Sequence, residues 1–340
     1  MRKYPQADLN ADGILTMKEA KVFKQKMQGN HGEQDSLDKK SATYAVAPTK
    51  TDVSYGPFER NILDFWQADA SSPSPIVVYI HGGGFTSGDK SKAAKTKLIE
   101  QSLEKGYHFA SINYRYAYKS MDEVSDKQKT GKPGCFLDGA RAIQFLKHKA
   151  KEWNIDKERV IIVGSSAGGG ICAFISMYDD LSDPNSPDPV LRESSRVFAM
   201  GHMYSQSTYD LTKWPEILGT SEVLMKKIAK PGKQGVPVHI KLGLKSEAEL
   251  ATEKGKEYSK MVDMVSYASS DDPPMFIFNN GADGTIKSHG HMVHHPRFSI
   301  HLADKANKNG IETKLVLPKI DGLGKIDQYT AFLEWVDTLL

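Results

Sequence analysis

A five-residue motif in the middle of the chain constrains the fold more than any other feature of the sequence. Gly164-Ser165-Ser166-Ala167-Gly168 follows the apolar run 160–163 and opens the apolar segment 167–177, whose pattern predicts a helix. Small residues must flank a serine at a strand-to-helix turn this tight, and the N-terminus of the helix favours developing negative charge. The motif therefore predicts an α/β fold in which Ser166 is a nucleophile at the turn.

Short apolar or β-branched runs alternate with helical patterns from about residue 51 onward. Such alternation is typical of a mostly parallel sheet with helices on both faces. The predicted strands are 76–80, 109–114, 160–163, 197–203, 275–278 and 314–317, and the clearest helices are 139–153 and 167–177. Residues 206–270 break this rhythm with a long polar, partly helical insertion. We interpret the insertion as a cap over the active site.

The composition excludes several other classes of protein. With 39% hydrophobic and 26% charged residues in 340, the chain has the composition of an ordinary globular protein. Its net charge of +3 is small and its basic residues are spread among acids, so we expect no nucleic-acid partner. No apolar run reaches the roughly 18 residues of a membrane span, and the residues after Met1 lack an apolar stretch, so we expect neither a membrane span nor a signal peptide in this sequence. The chain has only two cysteines, Cys135 and Cys172, too few for a disulfide framework or a four-thiolate zinc site.

The N-terminal segment matches the twelve-residue calcium loop of an EF-hand. The ligand oxygens would come from Asp8, Asn10, Asp12, the backbone carbonyl of Ile14 and Glu19. Only seven residues precede the loop and no second loop follows, so a vestigial site is the alternative. We predict a calcium-binding segment over 1–30, a polar linker over 31–50 and the main domain over 51–340. Calcium binding would suit an exported setting.

A glycine-rich loop, His81-Gly82-Gly83-Gly84-Phe85, directly follows the predicted strand 76–80. Acyl transfer develops negative charge on a carbonyl oxygen, and a glycine loop presents backbone amides to that charge without side-chain obstruction. We predict that the amides of Gly83, Gly84 and Ala167 form this oxyanion hole. A phosphate-binding loop is the alternative, but no lysine follows at the Walker spacing. His81 is expected to brace the loop.

Together these motifs resemble those of the bacterial hormone-sensitive-lipase-like carboxylesterases over roughly residues 50–340. The resemblance also rests on Ile-Asn-Tyr-Arg at 112–115, Asp-Gly-Ala-Arg-Ala at 138–142 and Asp-Pro-Pro at 272–274. It implies an α/β-hydrolase fold with a cap, hydrolysis of small short-chain or aromatic carboxylic esters through an acyl-enzyme on Ser166, and no cofactor for catalysis. Two alternatives stay open: a catalytically inactive hydrolase fold that binds ligands, and a calcium-dependent scaffold.

The chain departs from that family at the catalytic histidine. The family places its acid after the next-to-last strand of the sheet and its histidine after the last strand. Asp283 occupies the position of the acid, but no histidine follows His301. Instead, four histidines precede Pro296, at His289, His291, His294 and His295. The base must therefore come from an earlier part of the chain than in the family.

We hypothesise that the acid and the base have exchanged loops, since triads are defined by geometry and not by chain order. In this hypothesis His295 or His294 is the base and Asp321 orients it, while Asp283 has a structural or substrate-facing role. His295 is preferred because the residue before a helix-opening proline is held firmly. The histidines could also form a solvated loop, or a divalent-metal site through the His-x-His spacing.

Overall fold

Strands and helices alternate through the residues that the structure, a computed structural model, describes: 44–228 and 237–340. The strands are β1 (Lys50–Ser54), β2 (Ile62–Trp66), β3 (Ser74–Ile80), β4 (His108–Ile112), β5 (Tyr116–Ala117), β6 (Lys129–Thr130), β7 (Ile155–Ser165), β8 (Ala199–Met203), β9 (Met275–Phe278) and β10 (Thr313–Val316). The predicted calcium loop and most of the predicted linker lie outside the described residues and stay predictions.

The described strands form an eight-stranded sheet in the order β1-β2-β4-β3-β7-β8-β9-β10, and β5 pairs with β6 separately. The β1–β2 and β2–β4 pairs are antiparallel. All other pairs in the large sheet are parallel. The carboxyl ends of β3, β7, β8 and β9 therefore meet at one edge of the sheet, where ligands bind in open α/β folds.

Helices connect these strands and cover both faces of the sheet. They are α1 (Leu98–Glu104), α2 (Lys132–His148), α3 (Ala150–Trp153), α4 (Ala167–Met177), α5 (Trp214–Leu218), α6 (Glu222–Ile228), α7 (Val238–Leu242), α8 (Glu253–Met261), α9 (His289–Val293), α10 (Pro296–Lys308) and α11 (Gln328–Asp337). Short 3-10 helices occur at Lys90–Lys95, Met121–Glu123, Pro189–Arg192, Glu247–Ala251 and Met264–Tyr267. Within the described ranges, no helix combines the length and the apolar character needed to cross a bilayer.

Two cores lie on opposite faces of the sheet because strand side chains alternate between the faces. In β3, Ile76, Val78 and Ile80 join the core that packs against α2, α4 and α10. Val77 and Tyr79 join the core that packs against α1 and α11. The predicted mostly parallel sheet with helices on both faces is therefore confirmed.

The sequence patterns did not indicate the antiparallel edge of the sheet. In β2 the side chain of Asp64 is buried, and both of its oxygens accept hydrogen bonds of 2.7 Å from Lys90 Nζ. The Tyr44 hydroxyl donates to the same carboxylate, and the Trp66 indole donates to the carbonyl of Val46. Residues 44–46, assigned above to the linker, thus already pack against the sheet.

The insertion after β8 contains α5 to α8 and packs onto the segment that follows β9. Trp214 and Leu218 of α5 form a small apolar cluster with Ile286, Met292 and Phe298. This cluster joins the cap insertion to the histidine-containing segment, so the cap helps to fix where those histidines lie.

Candidate active site

Ser166 lies at the sharp turn between β7 and α4. Its backbone has φ 53° and ψ −121°, a conformation that non-glycine residues rarely adopt and that costs of order 1–3 kcal/mol. The Ser166 amide donates to the Met203 carbonyl at 2.9 Å, and the Ser205 hydroxyl donates to the Ser166 carbonyl at 2.5 Å. The neighbouring β8 loop therefore holds the strained turn in place.

The glycine that ends the motif is required by close packing. A Cβ on Gly168 would lie 2.0 Å from the carbonyl oxygen of Ile80, at the end of β3. The turn thus packs directly against the start of the glycine-rich loop. The serine turn and the loop are brought together by this backbone contact, which a residue larger than glycine at position 168 would prevent.

His81 braces the glycine-rich loop from within the protein. Its ring stacks on Tyr114 with a centroid separation of 4.4 Å, and the Tyr114 hydroxyl donates to the His81 carbonyl at 2.9 Å. Burial, with a contribution from the Arg60 guanidinium, lowers the pKa of His81 to about 3. The imidazole is therefore neutral at physiological pH, and its Nδ1 donates to the Gly82 carbonyl at 2.8 Å, which gives it a structural role in the loop.

The three amides predicted to form the oxyanion hole lie on the wall of the same cavity as Ser166. Among the described residues, no protein acceptor pairs with the amides of Gly83, Gly84 or Ala167. The Ala167 amide is also the first of α4, where the helix leaves its N–H groups without partners. These donors are therefore available to a negatively charged oxygen.

His294 is the imidazole that the structure brings to the serine. Its Nε2 lies 3.0 Å from Ser166 Oγ, within hydrogen-bond distance. Burial lowers the pKa of His294, and the nearby Gly290 carbonyl, a hydrogen-bond acceptor, partly opposes that effect. The ring is thus neutral at physiological pH, as a general base must be.

Two buried amides fix the backbone around His294. Asn279, at the end of β9, donates from Nδ2 to the His294 carbonyl at 3.2 Å, and Gln206 donates to the carbonyl of Val293. Both side chains are buried. Sequence analysis missed these positioning residues, although an asparagine directly after a buried strand, facing the catalytic edge, is a signal that could have indicated Asn279.

His295 faces the other way and caps helix α10. Its Nδ1 accepts from the Arg297 amide at 3.4 Å and its Nε2 donates to the Gly284 carbonyl at 3.1 Å, so both ring nitrogens are used. The ring also stacks on His291 at 4.8 Å. The residue before Pro296 is held firmly, as expected, but within the helix cap and not beside Ser166.

The two candidate acids also lie apart from the Ser166–His294 pair. Asp321 is exposed, and its Oδ2 accepts from the Leu317 amide of its own turn at 3.2 Å. Asp283 Oδ1 accepts from Arg297 Nε at 2.9 Å and lies 3.9 Å from Nε2 of His295. Within residues 44–228 and 237–340, no carboxylate forms an ion pair with His294. The structure therefore does not bring Asp321 to either histidine.

The four clustered histidines do not form a metal site in the described part of the chain. No group of three or more His, Cys, Asp or Glu side chains there is arranged to hold a metal ion. His291 bonds instead to the Ala282 carbonyl at 2.9 Å. Cys135 and Cys172 are buried, and burial raises the pKa of both thiols, so both are inert core residues.

A cavity of about 1530 Å³ opens above Ser166, between the sheet edge and the cap. Its lining is rich in aromatic side chains, namely Tyr79, Phe85, Tyr118, Tyr204, Tyr209, Trp214 and Tyr329. The volume exceeds the roughly 300–1,000 Å³ of most small-molecule sites. The cavity therefore has room for an aromatic or branched ligand beside the serine.

The strand order and the serine turn place the chain in the α/β-hydrolase class. Within that class it belongs to the BD-FAE family, an esterase family, whose model matches residues 63–293. The predicted α/β-hydrolase fold is thus confirmed.

Curated relatives of the chain match about a third to a half of it. The probable carboxylic ester hydrolase LipM of Mycobacterium tuberculosis is 30% identical over 169 residues, which are 48% of this chain and 35% of LipM. Carboxylesterase patB of Aspergillus clavatus is 31% identical over 119 residues, 32% of this chain and 21% of patB. The chain spans about a third, or less, of the length of these relatives.

Solved structures support the fold at low sequence identity. A truncated carbohydrate esterase from gut microbiota has a TM-score of 0.60 at 18% identity and covers 87% of this chain and 97% of its own. An acetyl ester-xyloside bifunctional hydrolase from Caldicellulosiruptor lactoaceticus has a TM-score of 0.56 at 19% identity, with 84% and 89% covered.

Proposed function

We propose that this protein is a serine carboxylic ester hydrolase with Ser166 as nucleophile and His294 as general base. The observation that carries the proposal is the 3.0 Å separation of Ser166 Oγ and His294 Nε2 at a strained strand-to-helix turn. The carboxylesterases and carbohydrate esterases among its relatives and structural neighbours support the same chemistry.

The proposed reaction begins when Ser166 Oγ attacks the ester carbonyl carbon and His294 Nε2 accepts the hydroxyl proton. The carbonyl oxygen becomes negatively charged and is stabilised by the amides of Gly83, Gly84 and Ala167. Collapse of this tetrahedral intermediate breaks the ester C–O bond, and His294 returns the proton to the departing alcohol. Water, deprotonated by His294, then attacks the acyl carbon; the bond to Ser166 Oγ breaks, His294 returns the proton to Oγ, and the carboxylic acid is released.

We further propose that His294 acts without a carboxylate partner. In a triad the acid holds the imidazole in the correct tautomer and orientation. Here the His294 amide donates to the Gly290 carbonyl at 3.2 Å, and the buried amides of Asn279 and Gln206 bond to the carbonyls of His294 and Val293. Anchoring of the backbone would thus orient the imidazole, which is one of the roles of the acid in a triad.

The aromatic lining of the cavity favours esters with an aromatic or short, bulky acyl group. Flat rings pack well against tyrosine and phenylalanine side chains, and Phe85 and Tyr209 contact each other edge to face at 5.0 Å beside the oxyanion loop. Aromatic and short acyl esters, as the sequence predicted, therefore remain the proposed substrates.

Covalent labelling tests the proposal. A fluorophosphonate should modify Ser166 and leave Ser166→Ala unlabelled, as measured by intact-protein mass. Because only neutral His294 can accept the proton, and burial lowers its pKa below the ordinary 6.5, the labelling rate should rise with pH with a midpoint below pH 6.5. Absence of labelling at every pH, or a midpoint above pH 7, would contradict the proposal.

Replacing either candidate acid should change activity little. Asparagine at 321 keeps an oxygen acceptor for the Leu317 amide, and the Asp283–Arg297 ion pair is partly exposed. We expect kcat/KM of Asp321→Asn and Asp283→Asn on 4-nitrophenyl acetate to stay within about tenfold of wild type. Loss of a triad acid lowers kcat by about 10⁴-fold, so a loss of that size in Asp321→Asn would support the exchanged triad with Asp321 as its acid.

A further inference from the structure

Lysine side chains dominate the charge on the wall of the active-site cavity. Among the described residues that line it, four are lysines, Lys92, Lys119, Lys132 and Lys241, and one, Glu222, is acidic. Neutral esters contain no charge that such an excess of lysines would bind. The positions of these lysines show which part of the wall carries the positive charge.

Three of the lysines lie on adjoining backbone segments. The Tyr118 amide donates to the Thr130 carbonyl at 2.9 Å, which places Lys119 beside the start of α2, where Lys132 is the first residue. A Cβ on Gly131 would lie 2.2 Å from the carbonyl carbon of Leu242, so α7 packs directly against the same turn. We call Lys119, Lys132 and Lys241 the lysine wall.

Aromatic rings connect the lysine wall to the reaction centre. The Lys132 ammonium lies 4.8 Å from the centroid of the Tyr209 ring. Tyr209 in turn contacts Phe85, the residue that follows Gly84 of the proposed oxyanion hole. A substrate held at Ser166 could therefore reach the lysine wall across two aromatic rings.

Two members of the lysine wall, Lys241 and Lys119, have no ion-pair partner among the described carboxylates. Lys241 is half-buried, burial lowers its pKa, and it forms no ion pair with any described carboxylate. Lys119 also forms no ion pair within residues 44–228 and 237–340. A partly desolvated ammonium without an acidic partner is costly, and a carboxylate on a bound ligand would relieve that cost.

Given the esterase function proposed above, we propose that the lysine wall binds a carboxylate carried by the substrate, and that the preferred substrates are anionic esters. The carboxylate could belong to the acyl part, as in a half-ester of a dicarboxylic acid, or to the alcohol part, as in an acylated acidic sugar. Both sources present the same group to the same lysines.

Two matched pairs of esters test this proposal and separate the two sources. Mono-4-nitrophenyl glutarate and 4-nitrophenyl pentanoate differ in charge on the acyl side, and 4-acetoxybenzoate and its methyl ester differ on the alcohol side. For at least one pair, the ratio of kcat/KM for the anionic ester to that for the neutral ester should fall ten- to a hundredfold in Lys132→Gln/Lys241→Gln. The wild-type ratio should also fall as ionic strength rises.

Hydrolysis of the neutral esters serves as the internal control for folding and for the catalytic pair. It should change by less than about threefold in the double variant, because no charge is bound there. Lys256→Gln, an exposed lysine on cap helix α8 that does not line the cavity, should leave every ratio unchanged. Equal ratios in wild type and the double variant for both pairs would overturn the lysine wall alone, whereas failure to hydrolyse any ester would overturn the esterase function itself.

Discussion

Ser166→Ala and His294→Gln should each lower kcat by about 10⁴-fold or more, whereas His295→Asn should keep kcat within about tenfold of wild type. The difference follows from one contact. His294 Nε2 lies 3.0 Å from Ser166 Oγ, while both nitrogens of His295 are engaged by the Arg297 amide and the Gly284 carbonyl. Loss of His294 removes the proton acceptor, and loss of His295 removes a helix cap.

The choice of substituents makes this comparison sharp. Asparagine is a favourable N-cap residue, so His295→Asn should preserve the start of α10. Glutamine at 294 keeps polarity and approximate size but cannot accept a proton at neutral pH. Steady-state kinetics on 4-nitrophenyl acetate, with thermal melts of each variant, provide the measurement. An inactive, folded His295→Asn together with an active His294→Gln would show that the base is His295.

Local patterns predicted the parallel part of the fold because it is built from uninterrupted apolar runs. The predicted strand 275–278 coincides with β9, and most other predicted strands differ from the observed ones only at their ends. β2 was missed because Asp64 interrupts it, and the charge of the buried Asp64 carboxylate is neutralised by the distant Lys90. A partner that lies 26 residues away along the chain has no local signature.

The nucleophile was predictable from sequence for a different reason from the base. Ser166 belongs to a motif whose spacing is imposed by contacts within a few residues and by one close approach to β3. The orientation of His294 and His295 depends instead on where α9 ends and α10 begins. If that boundary shifted by one residue, the other histidine ring would face the serine. The residue before Pro296 is held rigidly, as expected, but this rigidity makes His295 the cap of α10. It does not determine which histidine reaches Ser166.

The absence of a carboxylate beside His294, in the part of the chain that the structure describes, changes what the remaining groups must supply. In a triad, residual catalysis of 10³–10⁴ over water comes from the oxyanion hole and binding when a triad member is removed. A pair without an acid should therefore rely strongly on the amides of Gly83, Gly84 and Ala167. The glycine-rich loop is then the most sensitive part of the site after the serine and the histidine.

Gly83→Ala should lower kcat by about 10²- to 10³-fold or more, the cost of disturbing an oxyanion-hole donor. Gly83 has φ +135°, and a Cβ there would lie 1.8 Å from the Ser87 carbonyl oxygen, so the loop must move to admit a methyl group. The Gly83 carbonyl also accepts from the Thr86 amide at 3.2 Å, and that turn would be displaced together with the amides.

The readout must separate a displaced loop from an unfolded protein. Kinetics on 4-nitrophenyl acetate, thermal melts and the rate of fluorophosphonate labelling should be measured on the same samples, since labelling also places charge on an oxygen in the hole. A folded Gly83→Ala with slow turnover and slow labelling is the expected result. Gly324→Ala, where an added methyl group meets only open space, is the matched control and should behave as wild type. Wild-type kcat in Gly83→Ala would place the oxyanion hole elsewhere, because a loop forced to shift cannot keep its donors aimed at the same oxygen.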